Sequence, residues 1–160
     1  MEIRFAQTQD IPGILELLQQ IGRLHHNGRP DIFRESAQKY GASGVLALLE
    51  NPRTPIFVAV EEDAVLGYAI CQVETVGQDS VLKERTTLYL DDLCVDEAYR
   101  GKHIGTELYE AVCRYAQGRR CHSVTLNVWA FNEEALAFYT RMGMKPLKIA
   151  MESILEEGTC

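Results

Sequence analysis

Leu88-Tyr-Leu-Asp-Asp-Leu-Cys-Val-Asp-Glu-Ala-Tyr-Arg-Gly-Lys-His-Ile-Gly105 is the stretch on which the reading of this chain turns. Leu88 to Val95 is rich in strand formers. Ile104, Leu108, Val112 and Tyr115 then recur at helical spacing in a pattern that runs to Gln117. The order is a strand, a turn over Arg100 to Gly105, and a helix. Backbone N–H groups converge at such a helix start, and the positive end of the helix dipole lies behind them. That arrangement suits a pyrophosphate.

A second block is Ser123-Val-Thr-Leu-Asn-Val-Trp-Ala-Phe-Asn-Glu-Glu-Ala-Leu-Ala-Phe-Tyr-Thr-Arg-Met-Gly-Met144. Val124, Leu126 and Val128 alternate as in a half-buried strand. Ala135, Phe138, Tyr139 and Met142 stand at helical positions i, i+3, i+4 and i+7. Asn132 is placed to cap that helix, and Gly143 to end it.

Together the two blocks resemble the GNAT superfamily of acyl-CoA N-acyltransferases. The cofactor signature of that family is Gln or Arg, two further residues, Gly, one residue, then Gly or Ala, directly after its fourth strand. Arg100, Gly101, Lys102, His103, Ile104 and Gly105 occupy those positions, with His103 where the family has glycine. The second block is similar to the family pattern of an Asn followed by Ala, an aromatic residue with Tyr, and Gly. Asn132, Ala135, Phe138, Tyr139 and Gly143 match it. The resemblance covers residues 88–146 and extends to both ends, with Met1 to Leu24 as a first strand and helix and Lys145 to Leu155 as a last strand. It implies an α/β fold of GNAT type: a central twisted mixed sheet flanked by helices, whose fourth and fifth strands splay to admit the pantetheine arm.

Elsewhere, Ile14, Leu17, Leu18 and Ile21 mark an amphipathic helix after Thr8, and Gln38 to Leu49 holds a second helical segment interrupted by Gly41 and Gly44. Between them Gly22 to Phe33 is polar and turn-prone. Ile56 to Val60 and Val65 to Val73 read as two strands joined by a short acidic turn at Glu61 to Ala64. Residues 74–86 read as a connecting loop. The expected order is β-α-(α)-β-β-β-α-β-α-β, in one domain over 1–155 with a short tail at 156–160.

At 160 residues and 46% hydrophobic, the chain can bury one substantial core. No apolar run reaches the ~18 residues of a membrane span, and Met1-Glu-Ile-Arg-Phe5 lacks the basic and apolar regions of a signal peptide. Cys71, Cys94, Cys113, Cys121 and Cys160 are scattered, with no metal-knuckle or disulfide spacing. Reduced thiols in the cytoplasm are expected, with no metal. A net charge of −7 argues against a nucleic-acid partner, because phosphate binding is driven by Lys and Arg.

The resemblance implies acetyl-CoA as co-substrate and assigns roles to residues. The cradle is Arg100, Gly101, Lys102, His103, Ile104, Gly105 and Thr106. Backbone N–H groups near Leu93, Cys94 and Val95 polarise the thioester carbonyl. Asn132 bonds the pantetheine amides, and Tyr139 lies against the donor and is the general acid for departing CoA. Residues 88–105 are especially similar to diamine (spermidine/spermine) N-acetyltransferases, which carry Leu-Glu-Asp where this chain has Leu90-Asp91-Asp92. By that match Asp91 is the base, acting through a water, and Asp92 contacts the acceptor. Strand alternation sets the two on opposite faces. His25 and His26, with Asp31 and Arg34, fall where the family builds its acceptor wall. Trp129 and the cysteines read as packing residues.

The function expected is acetyl transfer to a primary amine of a small cationic molecule, by direct attack within a ternary complex. No Cys/His or Ser/His nucleophile motif is present for an acyl-enzyme. Two other readings stay open at this point: a protein or peptide N-acetyltransferase, and a non-catalytic CoA-binding regulatory module. The resemblance also implies a homodimer.

Overall fold

The computed structural model describes residues 1–77 and 81–155. Strands β1 (Glu2–Phe5), β2 (Ile56–Glu61), β3 (Ala64–Val76), β4 (Arg85–Val95) and β5 (Ser123–Thr125) form one sheet in that spatial order. The first four pair antiparallel, and β5 joins β4 in parallel. Glu62 and Asp63, with φ of 48° and 67°, make the two-residue left-handed turn that matches the twist of the β2–β3 hairpin. Helices α1 (Ile11–Gly28), α2 (Ala42–Glu50), α3 (Ile104–Gly118) and α4 (Glu133–Arg141) complete the fold.

Apolar residues of the inner strands are buried on both faces of the sheet. On one face Ile14, Leu17 and Leu18 of α1 and Val45 of α2 pack on Val58, Tyr68, Ile70 and Cys94. On the other, Leu108 and Val112 of α3 pack on Ala69, Cys71, Leu88 and Leu90. The four cysteines of the described residues, Cys71, Cys94, Cys113 and Cys121, are free thiols. Among those residues no helix is long and apolar enough to cross a membrane, and no His, Cys, Asp and Glu group could hold a metal ion.

Several expectations are corrected, and the loop expected over 74–86 is shorter, since β3 runs to Val76 and β4 begins at Arg85. The polar stretch after Gly22 does not turn: α1 continues to Gly28 and carries His25 and His26 into its last turn. Residues 145–155 form no strand; they are exposed, with Leu147 at 71%, Ile149 at 76% and Met151 at 86%. A further correction concerns the two aspartates. Cys71 pairs with Leu90 and Ile70 with Asp92, so Asp91 is an extra residue opposite no partner. A bulge of this kind reverses the alternation of the strand. Leu88 and Leu90 accordingly face α3, whereas Asp92 bonds Tyr68 and Cys94 joins the α1–α2 core. Asp91 bonds Lys39 and Tyr40 between α1 and α2, so both carboxylates lie on the α1–α2 side.

The splay of strands four and five is explicit in the register. Ser123, Val124 and Thr125 pair with Thr87, Leu88 and Tyr89, and there the ladder stops while β4 continues to Val95. Residues 126–129, expected to extend the strand, are outside it.

Gly67 on β3 holds α3 close to the sheet. A Cβ there would lie 2.9 Å from the Cys94 carbonyl oxygen and 3.1 Å from Leu108 Cδ1. Gly67→Ala should therefore cost about 1–3 kcal/mol through overpacking, read as a lower denaturation midpoint in urea, and should weaken acetyl-CoA binding by displacing the start of α3.

Candidate active site

The turn before α3 holds the residues read as the donor cradle. Gly101 has φ +79°, and His103, the residue before α3, has φ 62° and ψ 9°. Left-handed residues in such a turn fold successive N–H groups into an anion-binding concavity. Among the described residues no His103 side-chain bond caps α3. His103 thus supplies the backbone shape for which the family uses glycine, at the modest cost that His incurs there. Lys102 Nζ lies 4.8 Å from the Tyr99 ring, and Arg100 Nε donates to the Val95 carbonyl at 3.4 Å. Ile104 is buried beneath the turn. Gly105 faces neighbouring protein: a Cβ would meet Phe138 at 3.5 Å and Val95 at 3.6 Å. It keeps open the gap between α3, β4 and α4.

Beyond Tyr89 the β5-facing edge of β4 has no strand partner among the described residues; Leu93 and Val95 lie on this edge, the Leu93 N–H bonded to the Asp92 carboxylate, whereas Cys94, expected there, pairs with Tyr68 of β3. Across the gap stands α4. Asn132 Oδ1 accepts from the Ala135 N–H at 3.2 Å, and Gly143 takes φ +88° after the helix, as the sequence predicts. These ends present Tyr139 half-buried, its ring 6.0 Å from Tyr109 and 5.1 Å from Phe138. Burial, and then the negative charge of Asp92, push the Tyr139 phenol above its ordinary value. It is a protonated hydroxyl at neutral pH.

The residues read as the acceptor side lie around the bulge. Asp92 Oδ2 accepts from the Tyr68 hydroxyl at 2.9 Å. Burial raises the Asp92 carboxyl to about 6; the Tyr68 hydrogen bond and the Lys39 charge pull the other way, and Asp91 adds to the rise. Asp91 is fully engaged: Oδ1 takes Lys39 Nζ at 2.7 Å and Oδ2 takes the Tyr40 hydroxyl at 2.6 Å. Burial and that bond raise the Tyr40 phenol as well.

The two histidines separate. The His25 ring stacks on Phe33 with centroids 4.9 Å apart, and Phe33 meets Trp129 edge-on at 5.0 Å. Phe131 stacks on Trp129 at 6.2 Å and fits against Gly28, where a Cβ would press into its ring. This aromatic group joins the end of α1 to the segment leaving β5, so Trp129 is part of a wall. Burial and the Lys39 charge lower the His25 imidazole, which is neutral. His26 turns away: its Nδ1 is 2.8 Å from the Phe33 carbonyl, and it lines a polar hollow with Arg23 and Gln38. Asp31 pairs with Arg29 on the surface. Lys39, Tyr40, Tyr68, Phe33 and Phe131 went unmarked in the sequence. Tyr68 alone left a signal, as a polar aromatic in an otherwise apolar strand.

Residues 18–144 match the Acetyltransferase (GNAT) family. The chain belongs to that family. The fold is shared with a mutant of the BH1408 protein of Bacillus halodurans, whose crystal structure superposes with a TM-score of 0.93 at 32% identity over 98% of this chain and 100% of that one. The chain is 26% identical over 153 residues to thialysine N-epsilon-acetyltransferase of Bos taurus, covering 91% of this chain and 84% of that enzyme. It is also 31% identical over 87 residues to N-alpha-acetyltransferase 30 of Schizosaccharomyces pombe, covering 54% of this chain and 55% of that protein. The match thus spans about half the length of the yeast relative. GNAT acetyltransferases use acetyl-CoA as the acetyl donor. An uncapped helix start behind two left-handed residues and an unpaired strand edge fit that donor.

Because the folded Asp92 carboxyl titrates at about 6 against an ordinary 3.8, the fold disfavours its charged form. This group adds no penalty below 3.8, takes stability away as pH rises to about 6, and keeps the full penalty above that. Asp92→Asn should therefore raise the melting temperature near pH 8 and change it little near pH 4, measured by calorimetry at both values.

Proposed function

We propose that this protein acetylates the primary amine of a small cationic molecule, by direct attack on acetyl-CoA in a complex that holds both substrates. The observation that carries this reading is Asp92: a half-buried carboxyl that titrates at about 6, held by Tyr68 and within electrostatic reach of Tyr139. We read Asp92 as the base and Tyr139, whose phenol feels the Asp92 charge, as the acid, a pair of opposite protonation of the kind amine acetylation requires.

Acetyl-CoA supplies an activated thioester. The N–H groups of Arg100 to Thr106 bind its phosphates, and the Val95 N–H on the free edge of β4 donates to the carbonyl oxygen as negative charge develops there. Above pH about 6 the Asp92 carboxylate accepts the proton of the acceptor ammonium. It takes the role first read for Asp91, whose two oxygens are committed to Lys39 and Tyr40. The new bond forms between the amine nitrogen and the acetyl carbon, the C–S bond breaks, Tyr139 protonates the sulfur, and the second proton shed by the amine nitrogen restores the Tyr139 phenol as the amide forms. Burial raises the Cys94 thiol to about 12, and its Sγ lies 3.6 Å from the Leu17 carbonyl, so it is a poor nucleophile for an acyl-enzyme.

Support for a small acceptor comes from the bovine relative, named for a side-chain amine and matched over most of both chains. The contact of Phe33 with Trp129 narrows the acceptor side in the same sense. The yeast relative favours a peptide N-terminus, which is the second reading.

Two copies are also proposed to pair through residues 145–155. Leu147, Ile149 and Met151 lie at alternate positions and are exposed, as in a strand whose apolar edge awaits a partner. Ile149→Glu should convert a dimer to a monomer in light scattering. A wild-type monomer at micromolar concentration would rule the pairing out.

The function is tested by release of CoA thiol from acetyl-CoA with diamines, amino acids, aminoglycosides and N-terminal peptides as acceptors. A small amine should give the highest kcat/KM; best turnover on peptide N-termini, with small amines inert, would favour the second reading. On the best acceptor, Tyr139→Phe should lower kcat by about 10² or more with acetyl-CoA affinity nearly unchanged. The limb of kcat/KM that rises through pH about 6 should disappear in Asp92→Asn.

A further inference from the structure

We infer that Lys39 is a resident ammonium of the acceptor site, and that it selects acceptors whose reacting amine is followed by a neutral or carboxylate-bearing tail over those that carry a second ammonium. The inference rests on the small-amine reading above and recasts its acceptor as a molecule with a single ammonium, zwitterions included.

The geometry begins with the bulge. Asp91, displaced from the β3–β4 ladder, is reached by the chain between α1 and α2, and Lys39 Nζ binds it twice, at 2.7 Å from Oδ1 and 3.1 Å from the Asp91 carbonyl oxygen. A primary ammonium thus already sits on the strand that carries the base, in a seat of the kind an acceptor ammonium would take. The Lys39 side chain is 45% exposed, whereas that of Asp91 is 15% exposed. The carboxylate is fixed, and the ammonium reaches it on a flexible stem from solvent.

Charge counting gives the selectivity. Asp91 and Asp92 when ionised bring two negative charges to the acceptor side, and Lys39 cancels one. The site complements a single ammonium. Its charge reaches further than its contact, since it acts on both Asp92 and His25. The neighbouring wall of Phe33, Trp129, Phe131 and neutral His25 adds no negative group to balance a second cation. A diamine must bring its distal ammonium near Lys39 or drive Lys39 off Asp91, whereas a carboxylate tail meets Lys39 as an ion pair. Like-charge juxtaposition of this kind is how a site rejects a near-identical ligand.

The test uses three acceptors that share a six-carbon chain and a terminal amine: hexylamine, aminocaproate and hexamethylenediamine. Wild-type protein should use aminocaproate and hexylamine with kcat/KM about tenfold or more above that for the diamine. In Lys39→Met the diamine should gain on aminocaproate by about tenfold, mainly through KM, while Lys39→Arg, which keeps the charge, should retain the wild-type order. The same order in wild type and Lys39→Met would overturn the inference and leave small-amine acetylation standing. So would Lys39→Arg behaving as Lys39→Met, because the effect would then be one of loop structure. Failure of all three acceptors in every variant, with N-terminal peptides acetylated, would overturn the inference together with the small-amine reading.

Discussion

The structure of the cleft depends on one extra residue in β4. Without a bulge at Asp91, the strand that buries Leu88 and Leu90 against α3 would bury position 92 there too, and a carboxylate would have to enter an apolar core. The inserted residue changes which face the following side chains take. Leu90 and Asp92 can then occupy one strand, each in a suitable environment. Asp92 also owes its basicity to this switch, because it lands beside Tyr68 at the margin of the α1–α2 core, half-buried and still hydrogen-bonded.

A second constraint acts with the first. Parallel pairing of β5 ends at Tyr89 and Thr125, so the polar edge of β4 is exposed in the middle of the molecule. An unpaired buried edge is costly unless something bonds it. Here the opening is bounded by Gly105 at the start of α3 and by Phe138 on α4, whose ring lies 5.1 Å from that of the proposed acid, Tyr139.

Much of this was legible in the sequence because it is local. Strand formers before Arg100, helical spacing after Gly105, the Asn132 cap and the Gly143 terminator each depend on neighbours a few residues away, and each appears in the structure. His103 shows why the match to the glycine motif survived a substitution: the requirement there is a left-handed backbone, which histidine meets. The bulge was not legible, since β4 shows an unbroken run of strand formers and the flip appears only in the pairing with Ile70 and Cys71. Lys39 and Tyr40 were missed for a related reason: they reach Asp91 across 52 and 51 positions of sequence. The polar run after Gly22 misled because its residues serve one exposed side of α1, whose other side is fixed by Ile14, Leu17 and Leu18.

The strands of the sheet lie side by side in the order in which they occur along the chain. From β2 to β4 each is joined to the next by a direct antiparallel return, so this meander can assemble from contacts close in sequence, and such contacts close quickly. The β5 strand differs. It must wait for α3 to cross over and bring it parallel to β4, a connection that carries a larger loop-closure cost. The cleft exists only once that last strand has docked and diverged. During folding the meander and its core would form first and the catalytic opening last, so a partly folded molecule would hold its hydrophobic centre without any binding activity.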